Sequence, residues 1–287
     1  MERELWPPLY HLVMEVGKTM RLADVTFQPH GIALVFLWAA IHDRPVSWAC
    51  KEANWRTTTL RPVMIPSPAT MSRRLRRVDI AMFMRLVIER IRRMANPILI
   101  AVIDGKALPV GGGSQDPEAR CGHGAAHLAR GYKLFAVWDG RPVPAVYRVH
   151  SMNKNEDKVA EEMVEDLAGG GYLLGDGEYD ANGVYDAAGA AGYQVLAPRE
   201  HPEAGLGHHY QSPYRLRSIE LMGTTFGQGV FHSRGDIERE FGHLTSFGGG
   251  LSPLPSWVRH EKRVWLWVTA KLLINAMRMM KAKRLAA

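Results

Sequence analysis

Cysteine is nearly absent, with two in 287 residues. Cys50 and Cys121 make no disulfide framework and lack the spacing of a zinc site, so a reducing compartment is the natural setting. Long apolar runs are missing too. The longest, residues 32–41, is ten residues long, about half of the roughly 20 needed to cross a bilayer. No positively charged start leads into an apolar stretch and a small-residue cleavage site. The expected location is therefore cytoplasmic, with no membrane partner. No internal repeat is visible. What is present is ordinary for a globular chain: 46% hydrophobic and 23% charged residues, and a length that allows one large domain or two of usual size.

The charge is not evenly spread. The chain carries a net +7 and a pI near 9.5, which favours a polyanionic partner. Between residues 56 and 93 there are ten arginines against Asp79 and Glu89, a local excess of +8 that leaves the remainder close to neutral. Within this stretch Ser67 is placed to cap a helix whose first turn takes Pro68. That helix is expected to carry Arg73, Arg74, Arg76 and Arg77. A short arginine-bearing helix after an apolar one has the look of the second helix of a helix-turn-helix. The bland reading is a solvated basic face; DNA contact is favoured over it, mostly through phosphates, which position a protein without reading sequence.

Residues 1–95 read as a helical region. Residues 31–41 suit a buried helix, and apolar residues at 80, 83, 84, 87, 88 and 91 form a helical stripe. At Asn96-Pro97 the pattern changes, since proline disfavours helix at the residue before it. ILIAVID then reads as a buried strand, GYKLFAVWDG and PVPAVYRVH as a hairpin turning at Asp139-Gly140, and 155–167 as an amphipathic helix. GYLLGD is a strand, 181–189 a short helix, YQVLAP a strand, and 237–244 and 265–283 helices. Residues 200–230 show no period and are expected to be an irregular insertion within a 96–287 domain. The overall class is α/β: a mixed sheet with flanking helices, preceded by an all-α region.

Three acidic residues stand out: Asp104 in VIDG, Asp176 in LLGDGEYD and Glu238 in SRGDIEREF. A strand-end Asp before Gly is often only a turn former, and Glu238 with Arg234 is spaced as an ordinary helix-surface ion pair. In combination they suit hard divalent cations, because Mg²⁺ prefers oxygen ligands. Two such ions stabilise both the attacking and the leaving oxygen of a phosphoryl transfer. Cys121, His123 and His127 lack a fourth ligand nearby and are not taken as a metal site. The tryptophans and methionines of the last helix read as core rather than a base-stacking platform.

With these residues in place, the chain resembles the DDE transposases of bacterial insertion sequences, in the branch whose last acidic residue lies in a Tyr-(2)-Arg-(3)-Glu-(6)-Lys signature. Phe231, Arg234, Glu238 and Thr245 stand at that spacing, with Phe231 in place of the tyrosine and Thr245 in place of the lysine. DIEREFGHL is similar to the usual block and selects Glu238 over Glu240. GDGEYDA is similar to the block around the second Asp, and VIDGKAL to that around the first. The likeness runs over residues 102–254.

It implies a ribonuclease H-like fold in which the first and fourth strands are neighbours, so that Asp104 and Asp176 can share a cation. It implies Mg²⁺, with Mn²⁺ as a substitute and two ions in all, bound by Asp104, Asp176 and Glu238. It also implies cleavage and strand transfer on double-stranded DNA at element ends and target site, by a homodimer on paired ends. Arg61, Arg234 and Lys133 are the basic residues placed to hold phosphates in place of the missing lysine. Two alternatives are a metal-dependent nuclease of the same fold and a catalytically inactive DNA-binding relative.

Overall fold

The computed structural model describes residues 2–111, 113–124, 127–247, 250–251 and 253–286; the side chains of 236–238, 240 and 283–286 lie outside the described residues. The N-terminal helices are α1 (Glu2–Gly17), α2 (Pro29–Ile41), α3 (Val46–Ala49), α4 (Pro68–Arg74) and α5 (Val78–Arg92). Then come β1 (Ile100–Pro109), β2 (Arg120–His123), β3 (Leu128–Trp138), β4 (Val146–Ser151), α6 (Glu156–Val164), β5 (Gly171–Leu174), α7 (Asn182–Ala190) and β6 (Tyr193–Leu196). The chain closes with α8 (Pro213–Met222), α9 (Thr225–His232), α10 (Arg234–Thr245) and α11 (Glu261–Ala286). Two compact units result: residues 1–95 with 113–116 and 243–287, and residues 96–112 with 117–242.

In the first unit α2 is apolar on every side, as a helix buried on all faces must be; residues 32–41 are all buried. Trp38 stacks on Trp55 with ring centres 4.8 Å apart, and Trp6 meets both edge-on. Helix α11 packs against α1, α2 and α5, burying Leu266, Trp267, Ala270, Leu273 and Ile274. Its Lys271 is fully buried and donates to the Ala40 carbonyl at 2.7 Å and to the Asp43 carboxylate at the C-terminal end of α2. The expected 96–287 domain thus differs at its C-terminal end, where apolar burial of α11 groups residues 243–287 with the N-terminal helices.

Helix α4 starts as its sequence indicates: the Ser67 hydroxyl accepts from the Thr70 N–H at 3.2 Å. It ends at Arg74, however, so Arg76 and Arg77 lie in the turn before α5. Arg74 is buried and bonded to Asp79 at 2.8 Å.

The second unit is built on one six-stranded sheet. Its order is β2-β3-β1-β5-β6, with β4 also on β3. β1 is antiparallel to β3 and parallel to β5, and β5 is parallel to β6, as the ribonuclease H-like order requires. Successive strand side chains alternate between faces. On one face Ala101, Ile103, Phe135, Val137, Leu173 and Val195 pack with Val159, Met163 and Val164 of α6 and Val184, Tyr185 and Ala188 of α7. Val102, Asp104, Trp138 and Leu174 belong to the other.

Two segments depart from the sequence reading. β2 was hidden because RCGH is an exposed edge strand held by its pairing to β3, with no apolar alternation to betray it. Residues 200–230 are not irregular throughout: α8 and α9 occupy most of 213–232. Among the residues of α8 only Ser218 is buried, so no apolar stripe marks it. What holds it is Arg215, which reaches Asp180 at 2.8 and 2.6 Å. Asp180 also accepts from Tyr185 and from the Glu200 N–H, and its side chain is 1% exposed. Arg215→Met leaves that carboxylate buried without its counter-charge, so urea unfolding should show a loss of about 3–5 kcal/mol; an unchanged midpoint contradicts the anchoring role.

Candidate active site

The parallel pairing of β1 with β5 sets Val102 opposite Leu174. Asp104 and Asp176 each follow that pair by two residues, and the Asp176 charge acts on Asp104. β1 does not end at Asp104, as the strand-end reading assumed. It continues along β3 to Pro109, with Asp104 opposite Ala136. β5 does stop, at Leu174, and opens the space beside Asp104. Past it, Asp176 caps a short 3₁₀ turn, Gly177–Tyr179, its Oδ1 accepting from the Glu178 N–H at 3.0 Å. The Asp104 Oδ1 accepts from the Gly105 N–H at 2.7 Å.

The electrostatics follow from this placement. Burial pushes the Asp104 carboxyl up to about 6, and the Asp176 charge adds to the rise while the Gly105 N–H and Arg234 oppose it. Burial also raises Asp176, against the Glu178 N–H and Arg234. Arg234, the first residue of α10, therefore acts on both carboxylates. Later on the same helix Phe241 meets Trp138 edge-on at 6.0 Å, so α10 lies against the sheet face to which Asp104 belongs. Glu238 sits on α10 between them; its side chain lies outside the described residues. Among the described residues no group of three or more His, Cys, Asp or Glu is arranged to hold a metal ion.

The basic residues divide. Lys133, read as a phosphate contact, is nearly buried and ion-paired with Glu156, and it projects from the sheet face opposite Asp104. Arg74 is engaged by Asp79 inside the first unit. Arg73, Arg76 and Arg77 are exposed, with Arg77 also bonded to Asp79 at 3.0 Å.

Three polar residues near the acids were not singled out from sequence. Lys106 shares the face of Asp104, and burial lowers its amine while Asp104 raises it; the period of two in a strand was the available signal. Glu178 lies inside GDGEYD itself. Its carboxyl hydrogen-bonds Glu156 and is pushed up to about 7 by that bond, then by burial and the Glu156 charge. Glu156 opens α6, where an acidic first turn reads as routine helix chemistry. Burial would raise its carboxyl, but hydrogen bonds from Glu178 and Lys133 and the lysine charge bring it below the ordinary value.

The Asp104 and Asp176 donors are oxygen only, half-buried and mutually repelling, which fits a hard divalent cation. Residues 95–273, well over half of the chain, match the family model described as the transposase DDE domain. No curated protein and no solved structure matches the chain.

A pH test follows. Asp104 has a folded value raised from 3.8 to about 6, so its contribution is destabilising above that range and vanishes below the unfolded value. At neutral pH this amounts to about 3 kcal/mol at most. In metal-free buffer, Asp104→Asn should gain stability over the parent as pH rises from about 4 to 7, measured by thermal unfolding. Millimolar Mn²⁺ should raise the melting temperature of the parent and much less that of the variant. A pH-independent difference, or melting indifferent to Mn²⁺, contradicts the paired-carboxylate geometry.

Proposed function

Because the chain belongs to the transposase DDE-domain family, whose members are metal-dependent DNA-cleaving enzymes, we propose that it binds insertion-sequence ends and catalyses both DNA cleavage and strand transfer. The observation that carries this reading is the approach of Asp104, on β1, and Asp176, just past the end of the parallel neighbour β5, close enough for the Asp176 charge to raise Asp104. Glu238 completes the set: it follows Arg234 by four residues and precedes Phe241 by three, helical spacings that share one face. Asp104, Asp176 and Glu238 are the residues that hold two Mg²⁺, or Mn²⁺ in their place. When bound, such ions act as Lewis acids on the attacking and leaving oxygens of an in-line displacement.

The remaining work falls to the chain. Water attacks the scissile phosphodiester in the first step, and the freed 3′-hydroxyl attacks target DNA in the second; in each the 3′-oxygen of the broken strand leaves. No protein–DNA bond forms. Arg234 keeps positive charge beside both aspartates and the incoming phosphate. Lys106, on the same side of β1 as Asp104, adds a second cation where the signature lysine is replaced by Thr245. The exposed Arg73, Arg76 and Arg77 hold duplex phosphates from the helical region. A homodimer on paired ends, working in the cytoplasm, completes the reading. No helix among the described residues is long and apolar enough to cross a membrane.

The first test incubates the protein with candidate element ends and Mg²⁺ and maps the products. Asp104→Asn, Asp176→Asn and Glu238→Gln should each abolish cleavage, by at least about a hundredfold, while DNA binding persists. Glu240→Gln should be tolerated. Cleavage without joining would identify a nuclease of the same fold, and loss of cleavage with Glu240→Gln alone would overturn the choice of Glu238. The second test concerns the arginines. Replacing Arg73, Arg76 and Arg77 by Ala should reduce the log–log salt slope of DNA affinity by roughly 0.9 for each phosphate that is no longer neutralised. Arg74→Ala should instead lower the melting temperature, because it removes a buried guanidinium and the closer of the two partners of Asp79. An unchanged slope places the DNA elsewhere.

A further inference from the structure

The buried carboxylate of Glu156 sits behind the two aspartates rather than beside them. Its Oε1 takes the ammonium of Lys133 on β3, and its Oε2 accepts from the Tyr179 hydroxyl at 3.3 Å. Both partners lie on the α6 side of the sheet, opposite the face to which Asp104 belongs. Gly105, next after Asp104, touches this pair directly: a Cβ there would stand 2.8 Å from the Glu156 Oε2 and 3.0 Å from the Lys133 Cδ. Tyr179 is fully buried, and its ring lies against Gly175, where a Cβ would come within 2.8 Å of its Cδ2. One carboxylate therefore touches the backbone that follows Asp104 and, through Tyr179, the backbone on both sides of Asp176.

Resting on the metal-site reading above, we propose that Glu156 is a positioning residue, a rear brace that fixes the spacing of Asp104 and Asp176 before any cation binds. Its own oxygens are committed to Lys133, Tyr179 and Glu178, so it is not itself a ligand. Two repelling carboxylates need such a brace, because the relaxed alternative is for the strand end and the 3₁₀ turn to move apart. Lys133 acts in the same device and not on DNA. Gly105 and Gly175 are small because the clamp occupies the space where their side chains would lie.

The test uses the full chain and two readouts besides catalysis. Calorimetric Mn²⁺ affinity should fall about tenfold in Glu156→Ala, the scale typical of residues that orient metal ligands. Amide exchange at Gly105 and Glu178, whose N–H groups hold the two aspartates, should speed up by a similar factor, while β3–β4 amides keep their parental rates. Glu156→Gln retains the acceptor for Tyr179 and should recover most of both. Tyr179→Phe removes one hydroxyl only, and should shift both readouts in the same direction even if Glu156→Ala fails to fold. Parental Mn²⁺ affinity and parental exchange in these variants would overturn the brace, as would acceleration spread evenly over the sheet. A parent protein that binds no Mn²⁺ would instead refute the metal-site reading, with the exchange rates still deciding the brace.

Discussion

The constraint on which the second unit depends is the repulsion between two half-buried carboxylates, Asp104 and Asp176, that follow the parallel pairing of β1 with β5. The β1–β5 register fixes Val102 opposite Leu174, and Asp104 and Asp176 follow two residues beyond, one within β1 and one in the turn after β5. Burial raises both, and each neighbouring negative charge adds to the cost. A fold does not retain such a pair for its own stability, since an isolated buried charge is among the most expensive features a protein can carry. In the proposed function a cation relieves that strain, and this links backbone register to chemistry.

The surroundings are organised about that strain. On the side of Asp104, α10 brings Arg234 near both aspartates, and its Phe241 against Trp138 sets its seat on the sheet. On the opposite side, Lys133 and Glu156 make an ion pair that no DNA contact is needed to explain. The acidic residues of GDGEYD are thus divided by task. Asp176 faces Asp104, Glu178 hydrogen-bonds the carboxylate of Glu156, and Asp180 binds Arg215 of α8. In the helical region the arginines divide in the same way: Arg74 is buried against Asp79, while Arg73, Arg76 and Arg77 are exposed.

Much of this was legible in the sequence where burial writes a period. The strand carrying Asp104, the strand before Asp176 and helix α5 all bury one face or both, and their apolar patterns say so. The order of strands and the family blocks were legible for the same reason. What burial does not write was missed. β2 is paired to β3 as an exposed edge, and α8 is held by polar contacts, the Arg215–Asp180 ion pair and hydrogen bonds at Tyr214 and Ser218, so neither has an apolar stripe. The length of α4 depended on where the turn into α5 begins, which four closely spaced arginines do not reveal. The pairing of Lys133 with Glu156 was not legible, because its sheet face follows from the register with β1, which sequence alone does not supply. Glu156 needed the tertiary approach of α6 to Gly105 before its position meant anything.

The central claim, that the strand register creates a two-aspartate cation site, is most directly tested by crystallising the full chain with Mn²⁺ and recording anomalous scattering at the manganese edge. The account predicts a peak between the carboxylates of Asp104 and Asp176, in contact with oxygens of both at roughly 2.0–2.2 Å, and absent from Asp104→Asn. Manganese bound to one aspartate alone, or a strong peak elsewhere with none between the two, would contradict it.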